Sequence, residues 1–390
     1  MRIVHTSDWH AGRLWRQVNR LPELAKALEH LADFLERERV DLLLMSGDVF
    51  DSPLPPAEAE RVVFEFFKRV GTAGVQTVVV AGNHDSPVRL QAWGTLAELV
   101  NVRAVGKPLR AEEGGVLELV TRSGERAVVA AIPFAPVGAF VQALDLAGTD
   151  TEAHQRYAHQ LQRMVDHLGR RFRADAVNLL VAHTFLEGAV LSGSEREVHV
   201  GEAWAATPQV LPPQAHYVAL GHVHRPQRVP ASPAPAEYAG SVLQLDFNEA
   251  GEEKSFVFIP EAVPGQPVRT ERIPYRGGKP LLDVRCTLED LERRASELRG
   301  RGWIRVTVPL AAPDPDVAAK VRRILPEAVV VKVEHPEAKH APSIPERRHL
   351  NPLELYRLFH RTRYGAEPSE ALVATFERFR ERAEEAACGR

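Results

Sequence analysis

Five short polar motifs break an otherwise apolar pattern, and each follows a run that reads as a buried strand. They are Asp8-x-His10, Gly47-Asp48-x-x-Asp51, Gly82-Asn83-His84-Asp85, His183 and Gly221-His222-x-His224. The runs ahead of them are Ile3 to Thr6, Asp41 to Ser46, Val75 to Ala81, Ala176 to Ala182 and Tyr217 to Leu220. In α/β folds, the loops at strand ends collect polar groups into one crevice. A chain with carboxylate, imidazole and amide at five such ends is confined to folds that bring those ends together.

Helices separate the strands. From Pro22 to Arg39, residues Leu24, Leu28, Leu31 and Leu35 recur on one face. A second helix is expected to start at Pro56, with Val62, Val63, Phe66, Phe67 and Val70 as its apolar side. This strand–helix alternation predicts a layered α/β domain. Further strands are expected at Ala127 to Ile132 and Ser255 to Ile259, with an exposed loop at Val229 to Pro235. The chain of 390 residues, 44% of them hydrophobic, is long enough for one large domain and one or two small ones.

The Pro- and Gly-rich stretch from Val263 to Pro280 marks the expected boundary. After it, strands at Leu281–Arg285, Ile304–Val308 and Ala328–Val333 alternate with helices at Leu288–Leu298 and Asp316–Leu325. That pattern predicts a small α+β module. From Glu337 onward two helices are expected, opened by Asn351-Pro352 and Ser369. The domains so drawn are 1–265, 275–335 and 337–390.

Composition narrows the classes. No apolar run reaches the length of a membrane span, and the first residues begin on a strand rather than a leader, so a cytoplasmic protein is the expectation. The two cysteines, Cys286 and Cys388, make neither a disulfide framework nor a CxxC site. A net charge of -3 argues against a broad DNA footprint on this chain alone, so any nucleic-acid contact is local or shared.

The motif residues form a ligand set for divalent ions such as Mn, Fe or Zn, and the lack of thiolates speaks against a structural zinc. Asp8 and His10, two apart in what should be extended backbone, would project together, as would His222 and His224. Asp48 is the natural carboxylate to span two ions. Paired ions ~3.5–4 Å apart suit in-line phosphoester displacement. Each motif alone has an ordinary explanation, and a strand-end histidine such as His183 is commonly structural. The ordered set, GDxxD and then GNHD after apolar strands, has few.

This pattern resembles the calcineurin-like metallophosphoesterases. The resemblance implies a four-layer α-β-β-α sandwich and assigns roles by position. Asp8, His10, Asp48 and His224 would hold one ion; Asp48, Asn83, His183 and His222 would hold the other. His84 would act as general acid, with Asp51 orienting it and keeping it protonated; the plain reading of Asp51 is a turn cap before Ser52-Pro53.

Local strings are similar to the bacterial SbcD branch. They are Thr6-Ser7-Asp8-Trp9-His10 with Gly12, Gly82 to Leu90, Ser192-Gly193-Ser194-Glu195-Arg196 with Val200-Gly201, Gly221 to Gln227, and Tyr238-Ala239-Gly240-Ser241. Asp51 stands where archaeal and eukaryotic relatives often have His, which sides the chain with the bacterial branch. The resemblance implies a nuclease of DNA repair and recombination that trims double-strand ends from the 3′ side and cuts single strands and hairpins. It implies two Mn2+ ions, with Mg2+ as the alternative, a homodimer, a small capping domain, and an SbcC-type coiled-coil ATPase docked on residues 337–390. Arg13, Arg16 and Arg89 follow the metal-binding turns and could touch phosphates or form surface ion pairs. Trp9 and Trp15 could stack on a base or pack beneath the site. Two other readings stay open here: a phosphatase or nucleotide phosphodiesterase on the same ions, and a DNA-end scaffold without activity.

Overall fold

The computed structural model describes residues 1–16, 18–144, 153–195, 205–310, 314–334 and 351–388. The chain divides into two compact units, Met1–Leu281 and Leu282–Arg390.

The first unit is built on two six-stranded sheets. One runs Glu271–Pro274, Ser255–Ile259, Ile3–Thr6, Leu42–Met45, Gln76–Val80, Val102–Val105. The other runs Gln227–Arg228, Ala236–Tyr238, Tyr217–Gly221, Val177–His183, Arg126–Ile132, Val116–Val120. Their central strands are parallel; the second sheet is antiparallel at both edges, and the first only at the end formed by Ser255–Ile259 and Glu271–Pro274.

Alternation along each strand makes the layers. Leu42 and Leu44 join Ile3, Val78, Leu179 and Val181 in a core between the sheets. Leu43 and Met45 point the other way, onto Leu24, Leu28, Leu31 and Leu35 of helix Leu21–Arg37 and onto Val63, Phe66 and Val70 of helix Ala57–Thr72. On the far side, Leu180 and Ala182 meet Tyr157, Leu161, Met164 and Leu168 of helix Ala153–Gly169. A strand covered on both faces must be apolar at every position, and Leu42-Leu43-Leu44-Met45 is. Each leucine buried in this way contributes roughly 1.5–3 kcal/mol of transfer free energy. The result is the expected α-β-β-α sandwich. Pro56 precedes its helix as the cap residue rather than opening it. The Val229–Pro235 loop is a turn between the antiparallel pair Gln227–Arg228 and Ala236–Tyr238.

The second unit has a three-stranded sheet of Leu281–Arg285, Trp303–Pro309 and Ala328–Glu334. Helices Leu288–Leu298 and Val317–Ile324 close it over Val284, Cys286, Leu291, Ile304, Val306, Val321 and Leu325. Helix Pro352–Tyr364 begins with a reciprocal cap: Asn351 Oδ1 accepts from Glu354 N at 2.9 Å, and Glu354 Oε2 accepts from Asn351 N at 2.8 Å. Its Tyr356 stacks on Phe376 of helix Glu370–Cys388, with centroids 4.4 Å apart. Leu355, Phe359, Leu372 and Phe379 stay exposed. The start of the expected tail at residue 337 lies outside the described residues. Among the described residues, no helix is long and apolar enough to cross a membrane.

Candidate metal centre

The motif residues leave the carboxyl ends of the parallel strands in both sheets. Asp8, His10, Asp48 and Asn83 come from the first sheet, and His183, His222 and His224 from the second. The loops that carry them are tightly wound. Asp8, His10, Asp48 and His222 all have positive φ, at 51°, 46°, 52° and 97°. The extended backbone expected at Asp8-x-His10 is therefore absent; the two side chains converge through left-handed turns instead. Such conformations cost of order 1–3 kcal/mol each and persist only where surrounding structure imposes them. Here the main chain does so, with Asp8 N donating to Gly47 O at 3.0 Å and His10 N to Asp48 O at 3.0 Å. Gly47 (φ 100°) has no alternative, since a Cβ would lie 2.2 Å from His183 Nδ1.

Two groups of ligand atoms share one carboxylate. Asp48 Oδ2 is 3.6 Å from His10 Nε2 and 3.6 Å from His183 Nε2. On one side, donor atoms of Asp8, His10, Asp48 and His224 all lie within 4.8 Å of one another. On the other, Asn83 Oδ1 is 3.0 Å from both His183 Nε2 and His222 Nδ1. All seven expected ligands thus meet at one edge of the sandwich.

The site fits divalent cations on its own chemistry. His183 Nδ1 donates to Ser46 O at 2.8 Å, and His10 Nδ1 reaches Asp51 Oδ1 at 3.1 Å. Those partners place the proton on Nδ1 and turn the Nε2 lone pair inward. His10 Nε2 and His224 Nε2 then face each other at 3.2 Å, an arrangement that suits a shared cation and repels without one. Burial, with neighbouring imidazoles, holds His183 and His224 well below the usual histidine range, in the neutral form that binds metal. Burial also pushes the Asp8 carboxyl up to about 7, against the lowering effect of hydrogen bonds from Ser7 and the His222 N–H.

That last point gives a stability test. An acid with a folded pKa above its unfolded value of 3.8 weakens the metal-free fold as pH rises between the two, and the cost is complete above about 7. Asp8→Asn should therefore stabilise the metal-free protein at pH 8, by at most on the order of 4 kcal/mol, and do little at pH 4. Chemical denaturation in chelator checks this. A variant equally destabilised at both pH values rules it out.

A family model for calcineurin-like phosphoesterases matches residues 1–226. The chain is 31% identical over 382 residues to the SbcD subunit of nuclease SbcCD from Bacillus subtilis, covering 96% of this chain and 97% of that protein. The chain belongs to the SbcD family of calcineurin-like phosphoesterases. It is also similar to SbcD of Rhodobacter capsulatus, at 31% over 315 residues (75% of this chain, 76% of that one). SbcD of Escherichia coli K12 is 26% identical over 375 residues (93% and 92%). Membership makes the chain a metallophosphoesterase, and the cluster is a group of side chains that could hold its divalent metal.

Around this SbcD-type site, His84 Nδ1 donates to the Asp51 carbonyl at 2.8 Å and leaves Nε2 4.0 Å from Asp48 Oδ2. Asp51 thus holds His84 through its backbone. Its carboxylate lies 3.9 Å from His84 but 3.1 Å from His10, and Arg13 Nη1 approaches it at 3.5 Å. Asp85 has a part that the motif spacing leaves unassigned. It is buried and accepts N–H groups from Gly82 and Phe50 at 2.9 Å and from Val49 at 3.2 Å, tying the two central motifs together. Its signal is the last letter of GNHD. Arg16 faces Asp246 at 3.5 Å, and Arg89 pairs with Glu60 at 2.7 Å. Trp9 is buried against Phe66 and Phe67, and Trp15 beside Phe247, so both pack within the fold.

Proposed function

We propose that this chain is the metal-dependent nuclease subunit of an SbcCD-type complex, cutting DNA phosphodiesters from 3′ ends and within single strands or hairpins. The observation that carries this is a likeness that spans both units, to a protein named as part of a nuclease, over 97% of its length. A phosphatase would need only the first unit.

The ions, two Mn2+ in this reading, would be held by Asp8, His10, Asp48 and His224 and by Asp48, Asn83, His183 and His222. When bound, they supply an activated water and neutralise phosphate charge. The chain's own groups do the rest. His84, anchored through Nδ1, presents Nε2 to the cluster and protonates the departing oxygen. Asp51 fixes His84 by its carbonyl and His10 by its carboxylate. Arg13, Arg16 and Arg89 each stand in an ion pair, and Arg13, whose partner is Asp51, is the one beside the cluster and so the candidate to meet a phosphate.

The division into 1–265, 275–335 and 337–390 assigns catalysis, capping and partner binding in turn. Helices Pro352–Tyr364 and Glu370–Cys388, with Phe359 and Phe379 exposed, would dock on the ATPase coiled coil. A second copy would cover the apolar groove between helices Ala57–Thr72 and Pro87–Ala97, where Phe64 and Leu96 are exposed; a monomeric sedimentation mass would count against that.

The test compares a hairpin-capped duplex with free nucleotides in Mn2+ or Mg2+. Hairpin opening is expected, with Mn2+ the better ion. A chain ending before residue 337 should keep Mn2+-dependent cleavage of small phosphodiesters and lose the ATPase. Nucleotide hydrolysis without DNA cleavage overturns the proposal.

A further inference from the structure

His224 ends on a hydroxyl. Its Nδ1 lies 2.5 Å from Ser194 Oγ, and the same oxygen reaches Glu249 Oε1. Glu249 is wholly buried. Its second oxygen sits 2.7 Å from Lys254 Nζ and accepts the Leu245 N–H at 2.9 Å. Lys254, also buried, donates to the His224 carbonyl at 2.9 Å and to Glu252 at 3.0 Å.

The direction of this chain follows from its ends. With Nε2 turned to the cluster, Nδ1 carries the proton and donates to Ser194 Oγ. The hydroxyl's single hydrogen then goes to Glu249, an acceptor on both oxygens and neutralised by Lys254. A second set of bonds fixes the serine itself. The Glu195 carboxylate accepts N–H groups from Ser192 at 3.0 Å, Gly193 at 2.8 Å and Ser194 at 3.1 Å, and also from His224 at 3.0 Å. The serine turn and the His222–His224 loop are thereby one piece.

We propose that Ser194 is a positioning residue, which relays the Glu249 carboxylate to His224 and so sets the affinity of the metal site formed with Asp8, His10 and Asp48. This rests on the metal assignment above. The relay touches one site only: the outer nitrogen of His183, in the other site, ends on the Ser46 carbonyl. Outer-shell partners of metal-binding histidines typically govern affinity by about 10–100-fold.

The test is calorimetric titration of the full chain with Mn2+, scored on affinity rather than turnover. Wild type should bind two ions. Ser194→Ala should bind one of them about 10–100-fold more weakly and the other unchanged. The isosteric pair Ser194→Thr and Ser194→Val, which differ in the hydroxyl, should separate in the same way and serve even where the alanine variant folds poorly. Equal Mn2+ binding by the Thr and Val variants overturns the relay, as does equal weakening of both sites. Wild-type protein that binds no Mn2+ overturns the metal assignment itself, a distinguishable result.

Discussion

Asparagine in place of Asp48 should empty both metal sites and lower DNA cleavage by roughly 10^4-fold or more. The size follows from the shared position: each ion contributes several kcal/mol of charge stabilisation, and each ~1.4 kcal/mol is a factor of ten. Asp48 Oδ2 stands 3.6 Å from both His10 and His183, so its loss removes a ligand from each ion. The fold should survive, because Oδ1 accepts the His84 N–H at 2.9 Å and an amide oxygen can do the same. Metal content by mass spectrometry and cleavage of a hairpin duplex check both parts. A variant that retains two ions at wild-type affinity shows that the carboxylate does not bridge.

His84→Gln should behave in the opposite way: both ions kept, and turnover reduced by about 10^2–10^4-fold. The ring anchors on the Asp51 carbonyl and lies edge-on to His10, with centroids 4.6 Å apart. Its Nε2 is farther from Asp48 than the ligand nitrogens of His10 and His183 are. A competing role exists in the geometry, since donor atoms of His10, Asp51 and His84 also fall within 4.8 Å of one another. The two roles separate cleanly. An acid lost from the site lowers the rate and removes the limb of the pH profile on which the leaving oxygen is protonated. A ligand lost from the site lowers the number of ions bound, and that outcome would remove His84 from the catalytic step.

The ligands are legible because both parts of their signal are local. A strand packed on two faces has to be an unbroken apolar run, as Leu42–Met45 is, and polar residues right after such a run stand at the sheet's end. What is not legible depends on approach in space. The Asp51 carboxylate turns to His10, an arrangement set by the left-handed turns at Asp8, His10 and Asp48 that no spacing rule anticipates. Ser194 meets Glu249 across fifty-five positions of chain. The helix Ala153–Gly169 and the strands Val102–Val105 and Val116–Val120 do not stand out in the sequence, and only packing identifies the helix as the outer layer.

Each half of the centre is incomplete alone, because the first sheet brings the carboxylates and the second brings His183, His222 and His224. A ribosome must therefore pass His222 before either ion can be fully held, and His224 before both can. Nor can a chain with one sheet misfolded, or with the two sheets slipped along their common face, assemble the cutting site. Cutting therefore waits on the two sheets having both folded and met in register.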